Sequence, residues 1–145
     1  MCTHSSVLYD AADRERRKEK TRREEMKSEA EFKATTCAAW RKTGKYARVF
    51  FIETEETEKG FPDVIATRVV SCDTNSLHLY EFKVSDLKGR IKFQKDQPRF
   101  YLKNKILNVQ IVALDNRNGE THIFPASALF AEGKYKINEK QEVYL

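Results

Sequence analysis

The chain has only three cysteines, Cys2, Cys37 and Cys72, and no Cys-x-x-Cys pair. Their odd number argues against a disulfide framework. Cys37 in a helical pattern and Cys72 near a strand end read as core thiols. No apolar run approaches the ~18 residues of a membrane span, and no signal-peptide hydrophobic region follows Met1. The expectation is a cytoplasmic, reduced protein with no membrane partner. The three histidines, His4, His78 and His122, are scattered, so no His/Cys cluster points to zinc. There is no Gly-rich phosphate loop, which argues against a nucleotide cofactor. Nothing resembles a base-reading helix-turn-helix or zinc finger, and there is no internal repeat.

What the chain does have is charge. Charged residues make up 34% of it, against roughly 25% in an average domain. The net charge of +5 tilts towards an anionic partner such as nucleic acid without identifying one. Its 145 residues suit one domain, with enough chain to bury a core without staples. Residues 10–27 hold six acids and eight bases with almost no apolar residue. Residues 1–27 therefore read as a charged arm or solvated helix laced with i,i+4 pairs, with DNA contact as the alternative. The folded domain is assigned to residues 28–145.

Within it, Ser28 and Glu31 form a capping box for an amphipathic helix over 28–43. Phe32, Thr36, Ala39 and Trp40 recur at helical spacing, and Gly44 is placed to end the helix. Residues 45–54 read as a strand, and Pro62 breaks any continuing structure. Residues 63–72 and 77–84 read as a β-hairpin turning at Asp73, Thr74 and Asn75. Gly89 marks a loop. Asp96 is placed to cap a short helix that tolerates Pro98 in its first turn, with Phe100, Tyr101 and Leu102 as its buried side. Residues 109–114 form a strand, DNRNG a turn, ETHIF a pairing strand, and PASALFAEG a short helix or turn. The last dozen residues are an edge strand or a loose end. Helix and strand in this order predict an α/β fold with a mixed sheet.

Side chains two apart share one face of a strand, so Glu81 and Lys83 point one way and Tyr80, Phe82 and Val84 the other. A turn near Asp73–Asn75 places Asp63 opposite the residues around Lys83. Two carboxylates and one ammonium then converge at the end of a ribbon, which suits a divalent cation and a water. His78 alternates to the face away from Glu81. Residues 85–105 add seven bases against two acids. Lys88, Arg90, Lys92, Lys95, Arg99 and Lys103 are the candidate phosphate contacts, with Arg41, Lys42 and Lys45 in support.

The αβββαβ order, with Pro62-Asp63 at the second strand and Glu81-Phe82-Lys83 in the third, resembles the PD-(D/E)XK nuclease superfamily. Phe93 and Gln97 in FQKDQPRFY, and the closing VQIVALDNRNGETHIFPASALF, are similar in pattern to RecU-type Holliday junction resolvases and related phage nucleases. The resemblance covers residues 28–131. It implies a restriction-endonuclease-like αβββαβ core with a mixed central sheet flanked by helices. It implies a metal-dependent DNA endonuclease that uses Mg²⁺ or Mn²⁺. Asp63, Glu81 and the main-chain carbonyl of Phe82 would be ligands, Lys83 would position water or stabilise charge, and Gln97 would sit beside them, with Gln94 its rival. The family's accessory acid from the first helix would be Glu31, with Glu29 as the rival and Glu53 and Glu55 further off. Junction resolution takes two cuts, which implies a homodimer. A nuclease of the same fold that nicks or degrades other DNA, and a non-catalytic DNA-binding module, are the alternatives.

Overall fold

The computed structural model describes residues 11–17, 26–52, 59–71 and 74–145. Residues 11–17 are helical; the rest of the charged arm before residue 26, with Cys2 and His4, lies outside the described residues, as do Glu53, Glu55, Cys72 and Asp73.

Helix α1 spans Glu29–Thr43. It starts where expected, because the Ser28 Oγ accepts the Glu31 N–H at 3.1 Å and so satisfies a donor that no earlier turn can reach. It stops at Gly44, whose φ of 71° is the left-handed conformation a side chain would resist. Strands β1 (Arg48–Phe51), β2 (Val64–Ser71), β3 (Thr74–Val84), β5 (Gln110–Leu114) and β6 (Thr121–Pro125) form one sheet in the order β1-β2-β3-β5-β6. Among the described residues only the β3–β5 pair of this sheet is parallel. A parallel pair needs a crossover, and it is made by β4 (Arg90–Lys92) and helix α2 (Asp96–Lys103). The fold is thus the expected mixed α/β sheet flanked by helices, of restriction-endonuclease-like type.

The sheet has two cores. On one face α1 lays Phe32, Cys37 and Trp40 against Val64, Ala66, Tyr80, Phe82 and Val112. On the other, α2 packs Phe100 and Tyr101 against Leu79, Ile91, Ile111, Phe124 and Leu129. β3 feeds both because its side chains alternate, Tyr80 and Phe82 to the first and Leu79 to the second.

Four local readings change. Thr74 and Asn75 belong to β3 and pair with Ser71 and Val69, so the hairpin continues past the expected turn. Asp96 is the first residue of α2 rather than its cap, which is Lys95. Leu102 is 46% exposed; of the three residues expected to be buried, only Phe100 and Tyr101 are. The segment after Gly89 is not only loop: β4 pairs antiparallel with β7 (Glu142–Tyr144), near the end of the chain. Three-residue strands carry no periodicity, and this pairing depends on partners some fifty residues apart. Glycine suits position 89 because its φ of 78° is the left-handed conformation a side chain would resist.

Candidate active site

Buried Pro62 leads directly into β2, whose register sets Val64 opposite Tyr80. One step outward, Asp63 meets Glu81. The Asp63 N–H donates to Glu81 Oε2 at 3.2 Å, and the Phe82 N–H donates to Asp63 Oδ1 at 3.4 Å. The partner of Asp63 is therefore Glu81 itself, two residues earlier than Lys83. The carboxylate of Glu29, the first residue of α1, completes a group in which one oxygen from each acid lies within 4.8 Å of the others.

Behind this group sits a buried polar relay. Glu81, Lys83 and Gln97 are 4%, 6% and 7% exposed. Gln97, in the first turn of α2, donates from Nε2 to Glu81 Oε1 at 2.7 Å. Its Oε1 accepts the Lys83 ammonium at 2.8 Å and the Gln94 N–H at 2.8 Å. That pattern fixes the amide orientation, since a flipped amide would set its NH₂ against an ammonium. Lys83 also lies 3.9 Å from Glu81 Oε1 and 5.1 Å from the Phe93 ring centre. Gln94 contributes only its backbone here; its side chain is exposed.

The carboxyl groups hold their protons more tightly than free ones. Burial first, then repulsion from Asp63, pushes Glu81 up to about 8. Burial also raises Asp63, against the opposing charge of Lys33, and raises Glu29, against Lys83. The Tyr101 hydroxyl, one turn beyond Gln97 on α2, is buried with no hydrogen-bond partner among the described residues. Burial and then the charges of Glu81, Asp63 and Glu29 raise its pKa.

The structure brings Asp63, Glu81, Lys83, Phe82 and Gln97 together and leaves Glu31 outside. Both Glu29 and Glu31 are exposed, but only Glu29, three residues before buried Phe32 and on its side of the helix, brings its carboxylate to the group. Lys33 is the residue that sequence reading missed: its ammonium lies 3.5 Å from Asp63 Oδ2. The available signal was its i,i+4 spacing from Glu29. His78 packs on Tyr46 and Tyr80, on the face away from the carboxylates.

Of the candidate phosphate contacts, Lys88, Lys92, Lys95, Arg99 and Lys103 are exposed. Arg90 is half-buried; its Nε donates to Asp86 Oδ2 at 2.8 Å and a guanidinium nitrogen lies 3.8 Å from Glu142. Arg41 is committed to the Val49 carbonyl at 2.9 Å and to the Phe51 ring, and Lys45 covers Trp40.

No protein-family model matches the chain, and no curated protein matches it significantly. Among solved structures it is similar to Hjc, a Holliday junction resolvase from the archaeal hyperthermophile Archaeoglobus fulgidus, with a TM-score of 0.53. The two are 12% identical, over 78% of this chain and 85% of the other. At that identity the likeness establishes the fold. The acidic group gathers Glu81 of the central strand β3, Asp63 just before β2 and Glu29 at the start of α1.

Proposed function

We propose that this protein is a divalent-metal-dependent DNA endonuclease acting on branched DNA, as a homodimer with two sites. The observation that carries the reading is the Glu81–Gln97–Lys83 relay set against the Asp63 and Glu29 carboxylates. A structural ion pair needs one acid and one base; this cluster gathers three acids and raises the proton affinity of each. Such repulsion is relieved by a cation. The donors are hard oxygens, so they fit Mg²⁺ or Mn²⁺ and not a thiolate-seeking metal. The likeness to Hjc, described as a Holliday junction resolvase, supports the choice of substrate.

Asp63, Glu81 and the Phe82 carbonyl would hold the ion, with Glu29 in the place expected for Glu31. A bound ion supplies Lewis acidity to the phosphoryl oxygen and lowers the pKa of a water. The protein's own groups do the rest. Gln97 fixes the Glu81 carboxylate through Nε2 and aims the Lys83 ammonium through Oε1. Lys83 then stands ready as a fixed positive charge where the phosphoryl oxygens gain negative charge. The water oxygen bonds to phosphorus, the bond to one sugar oxygen breaks, and the proton lost by water ends on that sugar oxygen. Exposed Lys88, Lys92, Lys95 and Arg99 would neutralise phosphates without reading bases, so DNA shape selects the substrate.

The test is cleavage of a labelled four-way junction beside linear duplex, single strand and plasmid, with Mg²⁺ and with EDTA, using wild type and Glu81→Gln. Paired symmetric cuts confined to the junction, lost in EDTA and in the variant, are expected. Metal-dependent cutting of the other DNAs would keep the nuclease and remove the resolvase. Binding without any cutting would leave a DNA-binding module.

A further inference from the structure

Lys33 belongs to no part of the mechanism above, yet it touches the acid most central to it. One helical turn after Glu29, it holds its ammonium 3.5 Å from Asp63 Oδ2, with 20% of each side chain exposed. On its other side is the ring of Phe51, whose centre is 5.4 Å away. The positive charge of Lys33 is felt at both Asp63 and Glu29. Lys83 is the second ammonium of the group, 3.9 Å from Glu81 Oε1.

We infer that Lys33 is the internal counter-ion of the acidic group and makes divalent-metal binding conditional on a DNA phosphate. The inference rests on the metal centre proposed above and deepens it. Three carboxylates against two ammonium groups leave one negative charge when all are ionised. A divalent ion alone turns that balance positive in a half-buried site. A divalent ion together with one phosphodiester brings it to neutrality. Metal and DNA therefore each raise the affinity for the other, as linkage requires. Without Lys33, the metal alone balances the charge, and the dependence on DNA weakens.

The experiment measures Mn²⁺ binding to the full chain by the electron-spin resonance of the free ion, in the absence of DNA. Wild type, Lys33→Met, Lys33→Arg and Glu81→Gln are compared, each first shown by circular dichroism to melt cooperatively. Removing a positive charge this close to the ion is expected to tighten Mn²⁺ binding about tenfold or more. Lys33→Arg keeps the charge and should keep the wild-type affinity. In parallel, the gain in four-way-junction affinity on adding Mn²⁺, read by fluorescence anisotropy over times too short for cleavage, should shrink in Lys33→Met and persist in Lys33→Arg. Equal Mn²⁺ affinity in wild type and Lys33→Met, with binding still lost in Glu81→Gln, overturns the role of Lys33 and spares the metal centre. Mn²⁺ binding indifferent to Glu81→Gln overturns the metal centre and this inference together.

Discussion

The two faces of β3 come from alternate residues of one short stretch and are built for opposite ends. Tyr80 and Phe82 enter an aromatic cluster, with ring centres of Trp40 at 4.9 Å from Tyr80 and 5.6 Å from Phe82, and Phe32 at 5.5 Å from Phe82. The Tyr80 and Tyr46 hydroxyls satisfy each other inside it. Glu81 and Lys83, as deeply buried, enter a polar relay in which a carboxyl is held far from its ordinary pKa. Burial stabilises the first face, at about 1.5–3 kcal/mol for each large side chain. It strains the second, because charge taken out of water is costly unless matched. A strand can carry both because each residue commits to one face only.

Substitution should pull the two faces apart. Phe82→Ala removes a fully buried ring and is expected to cost about 3–5 kcal/mol, read as a shift in the urea midpoint. Glu81→Gln, one residue away, should keep the wild-type melting temperature or exceed it while cleavage disappears. Loss of stability equal to that of Phe82→Ala would mean that the relay is structural.

Gln97→Leu tests the relay itself. It strips the Lys83 ammonium and Glu81 Oε1 of their partner and leaves two buried polar groups underbonded. The expected loss is about 1–3 kcal/mol, with a larger loss of cleavage. A variant that cuts normally would remove Gln97 from the site.

The smallest effect per step is the response to pH, no more than about 1.4 kcal/mol per unit for one proton. Glu81 binds its proton more tightly folded, at about 8, than unfolded, at the ordinary 4.5. Its contribution is thus full below pH 4.5 and is lost as pH rises towards 8. Asp63 and Glu29 are raised as well and act in the same direction. Asp115 is opposite: hydrogen bonds from Arg117 hold it below the usual range, and its contribution is lost only in acid. EDTA-treated protein should therefore melt at lower temperature at pH 8 than at pH 5.5, and Mn²⁺ should flatten that slope. Glu81→Gln should flatten it without metal. A slope of the other sign would place an ionised, stabilised Glu81 in the metal-free site.

Much of this was legible in the chain. The period of two in residues 77–84 assigned Glu81 and Lys83 to one face and Tyr80 and Phe82 to the other, because strand geometry leaves no other choice. Ser28 and Gly44 marked both ends of α1, since capping depends on neighbours in sequence. Asp63, next to Pro62, could be placed near that face once a hairpin was assumed, though only the β2–β3 register chose Glu81 as its partner.

Tertiary structure decided everything that depends on how elements dock. The resemblance put Glu31 first and left Glu29 as its rival; the docking of α1 on the sheet through Phe32 and Trp40 brings the Glu29 carboxylate and the Lys33 ammonium to Asp63 instead. The pairing of β4 with β7, and the capture of Arg90 by Asp86, follow from contacts too short or too distant in sequence to leave a period. The residue types and their local periodicity set the elements and the faces. Which carboxylates share a site, and which lysine balances them, is set by the meeting of a helix with a sheet, a relation that no single stretch of the chain encodes.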